Sequence, residues 1–258
     1  MSTYKILFLG DVVGRPGRQA LEDHLPALIS AHQPLFVVVN AENAASGNGI
    51  TPRIGEDLFA MGVSAITLGD HAFKVKESYG WLSGPKPVVR PGNWGPHAPG
   101  KGSVVVEKEG IVLTVAALCG RTFMAPFDDP FRAADELAEA SGPHLFLDFH
   151  AEATSEKVAM GWHLDGRATA VIGTHTHVPT ADARVLPGGC AYQTDTGMCG
   201  PLDGVIGTSR EIILRRFRTG MPERFAVADG PVQICGIVIE AHRETGRAAS
   251  VMPVRLTP

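Results

Sequence analysis

Short apolar runs alternate with stretches of helical spacing along this chain, and most of the apolar runs end in an acid, an amide or a histidine. Residues 5–9 alternate little, which predicts a central strand covered on both faces. Gly10-Asp11 ends it, Gly14-Arg15-Pro16-Gly17 predicts a turn, and Ala20, Leu21, Leu25, Leu28 and Ile29 then share one helix face. A strand over 35–40, a helix over 52–61 and a strand over 65–68 follow, the last ending in Gly69-Asp70-His71. Residues 86–99, rich in Pro, Gly and Trp, predict an ordered loop. Residues 103–107 and 111–117 flank Lys108-Glu109-Gly110 as a hairpin, which predicts a switch to antiparallel pairing in the second half. Next come a helix over 130–140, a strand over 144–150, a helix over 155–164 and a strand over 169–172. Short strands at 184–187 and 190–194, a loop at 195–201, a helix over 208–217 and strands near 225–227, 233–240 and 248–254 complete the pattern. No repeat, low-complexity segment or linker interrupts it, so one domain over residues 1–258 is expected.

Composition narrows the class. Hydrophobic residues make up 44% and charged residues 19% of 258, values of a globular chain rather than a disordered one. The longest apolar runs, such as Leu35-Phe36-Val37-Val38-Val39, are too short to cross a bilayer. The start lacks the apolar region and cleavage site of a secretory signal, so a cytoplasmic protein is expected. Cys119, Cys190, Cys199 and Cys235 are scattered without Cys-x-x-Cys spacing, which predicts reduced, mostly buried thiols. A net charge of -4 argues against a broad nucleic-acid surface and leaves room for a local basic pocket.

Candidate chemistry collects where strands end. Gly10, Gly14 and Gly17 match neither the Rossmann nor the Walker spacing, so Asp11 is either a helix N-cap or a carboxylate at a strand's C-terminal edge. Glu42 and Asn43 follow the second strand as turn residues or ligands, and Asp70 and His71 follow the third. Three consecutive β-α units therefore each end in an acid. His150 closes a later strand, whereas His144 and His163 lack such a setting and read as surface or core residues. In Gly173-Thr174-His175-Thr176-His177, residues i and i+2 of extended backbone share a face, so both imidazoles are expected to converge on one point. Arg90 either binds phosphate or braces its loop, and the glycines of 195–201 serve either ligand approach or tight turns. Oxygen and imidazole donors in this number suit two divalent metals sharing a carboxylate, a centre whose natural chemistry is phosphoester hydrolysis.

Asp11, Asn40-Ala41-Glu42-Asn43, Thr67-Leu68-Gly69-Asp70-His71, the segment Asp148-Phe149-His150-Ala151-Glu152-Ala153-Thr154-Ser155-Glu156-Lys157 and Gly173-Thr174-His175-Thr176-His177 resemble the calcineurin-like metallophosphoesterases, and more narrowly the bacterial YmdB-like branch. The resemblance runs essentially end to end. It implies an α/β fold, a four-layer α-β-β-α sandwich with two facing mixed sheets. It also implies two metal ions, iron or manganese with zinc an alternative, and a homo-oligomer. Carried over, Asp11, Asn43 and His177 would hold one metal, Asp70, His150 and His175 the other, with Glu42 bridging and His71 facing the substrate. The implied substrate is a small phosphoester such as a cyclic nucleotide or short RNA, split by in-line attack of a hydroxide supplied by the metals. Two departures stand out. Val13 occupies the place where the wider superfamily has a histidine, so one ligand either comes from elsewhere, with Asn43 the candidate, or is missing. Asp70 replaces an asparagine, and its extra charge should bind the metals tighter and raise the pKa of the water between them. A phosphomonoesterase on the same centre and a regulatory metal-binding protein acting through a partner are the rival readings. A binuclear amidohydrolase ranks below them, because its His-x-His lies near the first strand.

Overall fold

The computed structural model describes residues 2–257. Its first half runs β1 (Thr3–Leu9), β2 (Asp11–Val12), α1 (Gly14–His32), β3 (Phe36–Asn40), α2 (Pro52–Ala60), β4 (Ala65–Thr67), α3 (Ser78–Leu82) and β5 (Val88–Val89). The second half begins with β6 (Ser103–Lys108), β7 (Ile111–Cys119), α4 (Pro130–Ala140), β8 (Leu145–His150), α5 (Thr154–His163) and β9 (Ala170–Thr174). It ends with β10 (Arg184–Val185), β11 (Ala191–Gln193), β12 (Met198–Pro201), α6 (Arg210–Thr219), β13 (Val232–His242) and β14 (Ala248–Leu256).

Strand parity builds four layers from these elements. In β1, Ile6 and Phe8 point one way and Leu7 and Leu9 the other, and all four are fully buried. Leu7 and Leu9 pack with Ala20, Leu21 and Leu25 of α1 and Leu58 of α2. Ile6 and Phe8 pack instead with Phe146 of β8 and Ile172 of β9, which places a core between two sheets. The Phe8 and Phe146 rings meet there at 5.0 Å between centroids. A third cluster joins Leu145, Leu147 and Phe149 of β8 to Ala134 of α4 and Met160 of α5. Each such Leu, Ile, Phe or Met side chain contributes about 1.5–3 kcal/mol by leaving water, so both faces of both sheets are secured. The order helix, sheet, sheet, helix is the sandwich expected.

The first sheet has the order β2-β12-β13-β1-β3-β4-β5, with β14 paired to β13, and the second the order β10-β11-β9-β8-β7-β6. Within them β1, β3, β4 and β5 are mutually parallel, and so are β7, β8, β9 and β11. The expected switch to antiparallel pairing is therefore confined, in the second sheet, to the β6–β7 hairpin and the β10–β11 pair. Helices α4 and α5 act as crossovers and keep the strands between them parallel.

Other expectations are corrected locally. Gly14 to Gly17 form no separate turn; they are the first turn of α1, where Pro16 is tolerated because a first-turn N–H has no intrahelical acceptor. The segment 195–201 is only partly loop, since Met198 and Cys199 pair in parallel with Asp11 and Val12. Residues 225–227 make no strand, and only Val227 bridges Thr208. Among the described residues no helix is long and apolar enough to cross a membrane.

Candidate metal centre

Parallel strands send their C-terminal ends in one direction, and here the ends of β1, β3 and β4 deliver Asp11, Glu42, Asn43, Asp70 and His71, while β8 and β9 deliver His150, His175 and His177. Glu42, Asp70, His150 and His175 each offer a ligand atom, all within 4.8 Å of one another. His150 Nε2 lies 3.1 Å from Glu42 Oε1 and 3.1 Å from Asp70 Oδ1, and His175 Nδ1 lies 3.0 Å from His150 Nε2. Beside them is a second group. His177 Nε2 is 3.6 Å from Asp11 Oδ1 and 3.2 Å from Asn43 Nδ2, which is itself 3.2 Å from Glu42 Oε1. Glu42 thus touches both groups, and all seven expected ligand positions come together. Asp11 is not a helix cap: Val13 fills that position, and Asp11 Oδ2 accepts the His175 N–H instead.

The expected route by which His175 and His177 converge is wrong. Strand β9 stops at Thr174, and both histidines have left-handed backbone, with φ of 95° and 64°. The alternation of extended chain is lost, and the rings diverge, His175 toward Asp70 and His150, His177 toward Asp11 and Asn43. Positive φ at two non-glycine residues costs about 1–3 kcal/mol each and requires external support. Thr176 between them supplies the attachment: its N–H and hydroxyl both donate to Asp195 Oδ2, at 3.0 and 2.7 Å. Asp195 is buried and pairs with buried Lys157 of α5 at 2.8 Å. Gly173 makes room for this arrangement, because a Cβ there would lie 1.8 Å from the Thr194 carbonyl oxygen. Gly69 does the same on the other side, where a Cβ would lie 2.3 Å from both Glu42 Oε2 and the His150 ring.

Hydrogen bonds on the far side of each ring choose its tautomer. Thr174 gives its proton to Asp148 Oδ1 at 2.6 Å and so accepts from His150 Nδ1 at 2.8 Å, which turns His150 Nε2 toward the cluster. Asp148 is fixed by Asn40 and Thr67, which donate to Oδ2 at 2.9 and 2.5 Å. His177 Nδ1 donates to the Ile206 carbonyl at 2.9 Å, so Nε2 faces Asp11. Glu152 Oε2 stands 3.1 Å from His175 Nε2, which turns Nδ1 inward.

Electrostatics make the centre cation-demanding. Among the described residues, no lysine or arginine forms an ion pair with Asp11, Glu42 or Asp70; their positive neighbours are imidazoles alone. Burial opposes ionisation of Asp11 and Asp70, yet the charge of His177 on the first and the hydrogen bond and charge of His150 on the second hold both below the usual carboxylate range. Burial likewise opposes charging of His177, but Asp11 outweighs it and raises the imidazole to about 9. Three carboxylates neutralised only by protonated imidazoles are a donor set that fits metal ions, which replace those protons. Burial also pushes Asp148 up to about 6.

Other side chains resolve the alternatives left open. Arg90 braces its loop, donating to the carbonyls of Pro91, Gly92 and Ala98, and binds no site residue. Gly197 serves a turn, with φ of 88° and its N–H on Asp195 Oδ1. His144 is a core residue bonded to the Tyr4 hydroxyl, and His163 pairs with Asp135 at the surface. The four cysteines are free and buried. Asp148, Thr174, Glu152, Lys157 and Asp195 carry supporting roles that strand-end counting does not single out. Asp148 did leave a trace, as a charge two residues before His150 in an otherwise apolar strand.

A family model described as YmdB-like protein matches residues 7–254. The 2',3'-cyclic-nucleotide 2'-phosphodiesterase of Bacillus subtilis (strain 168) is 50% identical over 250 residues, covering 96% of this chain and 95% of that one. A crystal structure of a hypothetical protein from Thermus thermophilus superposes with a TM-score of 0.93 at 44% identity, over 98% and 99% of the two chains. A Mycoplasma pneumoniae phosphatase superposes at 0.95 with 37% identity, over 100% of this chain and 94% of that one. At 11% identity, the Haemophilus influenzae NAD nucleotidase matches with a TM-score of 0.62 over 99% of this chain and 56% of its own, a likeness of fold alone. With a family model spanning nearly its whole length and a relative at half identity, the chain belongs to the YmdB-like family.

Proposed function

We propose that this protein hydrolyses phosphodiesters of nucleotides, 2',3'-cyclic nucleotides among them, at a two-metal centre. The observation that carries the reading is the set of three carboxylates, Asp11, Glu42 and Asp70, whose only positive partners are imidazoles held by outward hydrogen bonds with one nitrogen turned inward. In the proposed assignment Asp11, Asn43 and His177 hold one ion, Asp70, His150 and His175 the other, and Glu42 is shared. Iron or manganese fits this mixture of carboxylate and imidazole donors. Two such ions, when bound, supply the nucleophile at neutral pH and stabilise the attacking and leaving oxygens.

The protein's own part is positioning and hydrogen-bond stabilisation of developing charge. His71 has a partly exposed ring, and its backbone N–H is tied to Glu42 Oε2 at 3.1 Å. Its Nδ1 lies 2.6 Å from Asn43 Oδ1. For Asn43 to ligate through oxygen, its amide reverses and presents Nδ2 to His71 Nδ1, which then accepts. The ring proton stands on Nε2, from which it hydrogen-bonds the leaving oxygen and stabilises the charge that develops there. Loss of that hydrogen-bond donor typically costs about 10²–10³ in rate. The relative from Bacillus subtilis supports a diester rather than a monoester. So does the cavity of about 620 Å³ beside the cluster, which has room for a second ester substituent. Metal analysis of the purified protein, with a screen of phosphomonoesters, linear diesters and cyclic nucleotides, tests the reading. Turnover of cyclic nucleotides that disappears in Asp11→Asn is expected; no phosphoester turnover with manganese or iron supplied would refute it.

A further inference from the structure

The cavity beside the cluster has a wall that metal binding does not use. Glu42, Asn43, His71 and His177 border it, and so do Arg216, Arg224 and Phe225. Phe225 is 50% exposed, and the Arg216 guanidinium lies over its ring at 4.8 Å from the centroid. Glu223, the acid in this segment, is committed to Arg215, whose Nη2 lies 3.1 Å from Oε2. Among the described residues Arg216 and Arg224 form no ion pair, so two uncompensated cations flank an exposed aromatic ring in a chain of net charge -4. A guanidinium over an aromatic face gains about 0.5–1 kcal/mol when exposed and about 2 kcal/mol when desolvated, so a ligand covering this open pair would strengthen it.

We infer that Phe225, backed by Arg216, is a stacking platform for the base of a nucleotide substrate whose phosphate lies at the metal cluster, with Arg224 adding positive charge at the rim. The inference rests on the phosphodiesterase reading above and names the part of the substrate held by residues remote from the metals. A nucleobase matches this chemistry because it offers a flat π-face to a ring and a guanidinium, whereas an aliphatic phosphoester gains nothing from Phe225. Stacking does not read base edges, so purine and pyrimidine substrates should differ little.

The test is calorimetric binding of AMP and of ribose 5-phosphate to the manganese-loaded protein, alongside turnover of 2',3'-cyclic AMP. Phe225→Ala should lower the ratio of AMP to ribose 5-phosphate affinity about tenfold, and Phe225→Trp should restore it, as expected for loss and recovery of one stacked base. KM for the cyclic nucleotide should rise with little change in kcat. An unchanged ratio in Phe225→Ala, or failure of AMP to bind the wild-type protein, overturns the platform. The two readings fail separately. Phe225-dependent AMP binding without turnover of any diester rejects the activity alone, and turnover with a Phe225-indifferent ratio rejects the platform alone.

Discussion

Replacing Lys157 by methionine should separate the stability of this fold from the stability of its metal centre. Lys157 is 1% exposed, and its ammonium lies 2.8 Å from Asp195, which is fully buried. Removing the lysine leaves Asp195 with three neutral donors, the Thr176 N–H, the Thr176 hydroxyl and the Gly197 N–H. Breaking one side of a buried pair costs about 3–5 kcal/mol, and those donors favour the lower end, about 3 kcal/mol. At about 2–4 °C per kcal/mol for chains of this size, the melting temperature should fall by about 6–12 °C. The double variant Lys157→Met, Asp195→Asn removes both charges, and about 2 kcal/mol should return. Metal retention should not return with it, because Thr176 has exchanged a carboxylate for an amide and the two strained histidines beside it are less firmly held. Chemical denaturation of the wild type, both single variants and the double, each metal-free, measures the coupling energy, and manganese titration measures retention. A double variant as unstable as the sum of the singles, or a Lys157→Met protein within about 0.5 kcal/mol of wild type, would refute the reasoning.

Four further outcomes are expected. His175→Ala and His177→Ala should deplete different metals, as read by metal content with anomalous scattering at each position; equal loss of both ions in both variants removes the assignment. Gly69→Ala should lose metal while keeping near-native circular dichroism, since the nearest atoms its Cβ would meet belong to Glu42 and the His150 ring; full metal occupancy contradicts the close approach. His177, raised to about 9 by Asp11, carries a proton at pH 7 in the metal-free protein that a metal must displace. Apparent affinity should therefore climb about tenfold per pH unit for that proton up to about pH 9, and calorimetry in buffers of different ionisation enthalpy should detect proton release. Asp70 is ionised well below neutral pH, so Asp70→Asn should weaken metal retention and move the acidic limb of the pH-rate profile to lower pH; an unmoved limb opposes this.

Much of the site was visible in the chain as written because most of the proposed ligands stand at or just past the end of a strand whose apolar run is easily recognised. Asp11, Glu42, Asp70 and His150 stand at such places, and burial on both faces gives β1, β3 and β8 near-continuous hydrophobic runs. Elements too short for periodicity were not visible: β2 and β12 each have fewer than five residues, and their pairing depends on Asp11 and Met198 meeting across the chain. The backbone of His175 and His177 was misread for a related reason. Left-handed φ at a histidine has no local signature and is set by Asp195, which lies well downstream and is itself held by Lys157. The cavity wall at Arg216, Arg224 and Phe225 was equally silent, because exposed charges and a single aromatic residue are ordinary surface composition.

The layered architecture has a mechanical consequence. The proposed oxygen donors Asp11, Glu42, Asn43 and Asp70 all come from the ends of first-sheet strands, and the proposed nitrogen donors His150, His175 and His177 from the ends of second-sheet strands. Between the sheets lies a non-directional hydrophobic layer that resists separation far better than sliding. Bound ions would therefore act as rivets across a seam, fixing the registry of one half of the chain against the other. Metal loading should stiffen the whole sandwich against shear, and force or heat applied to the metal-free protein should part it along that seam first.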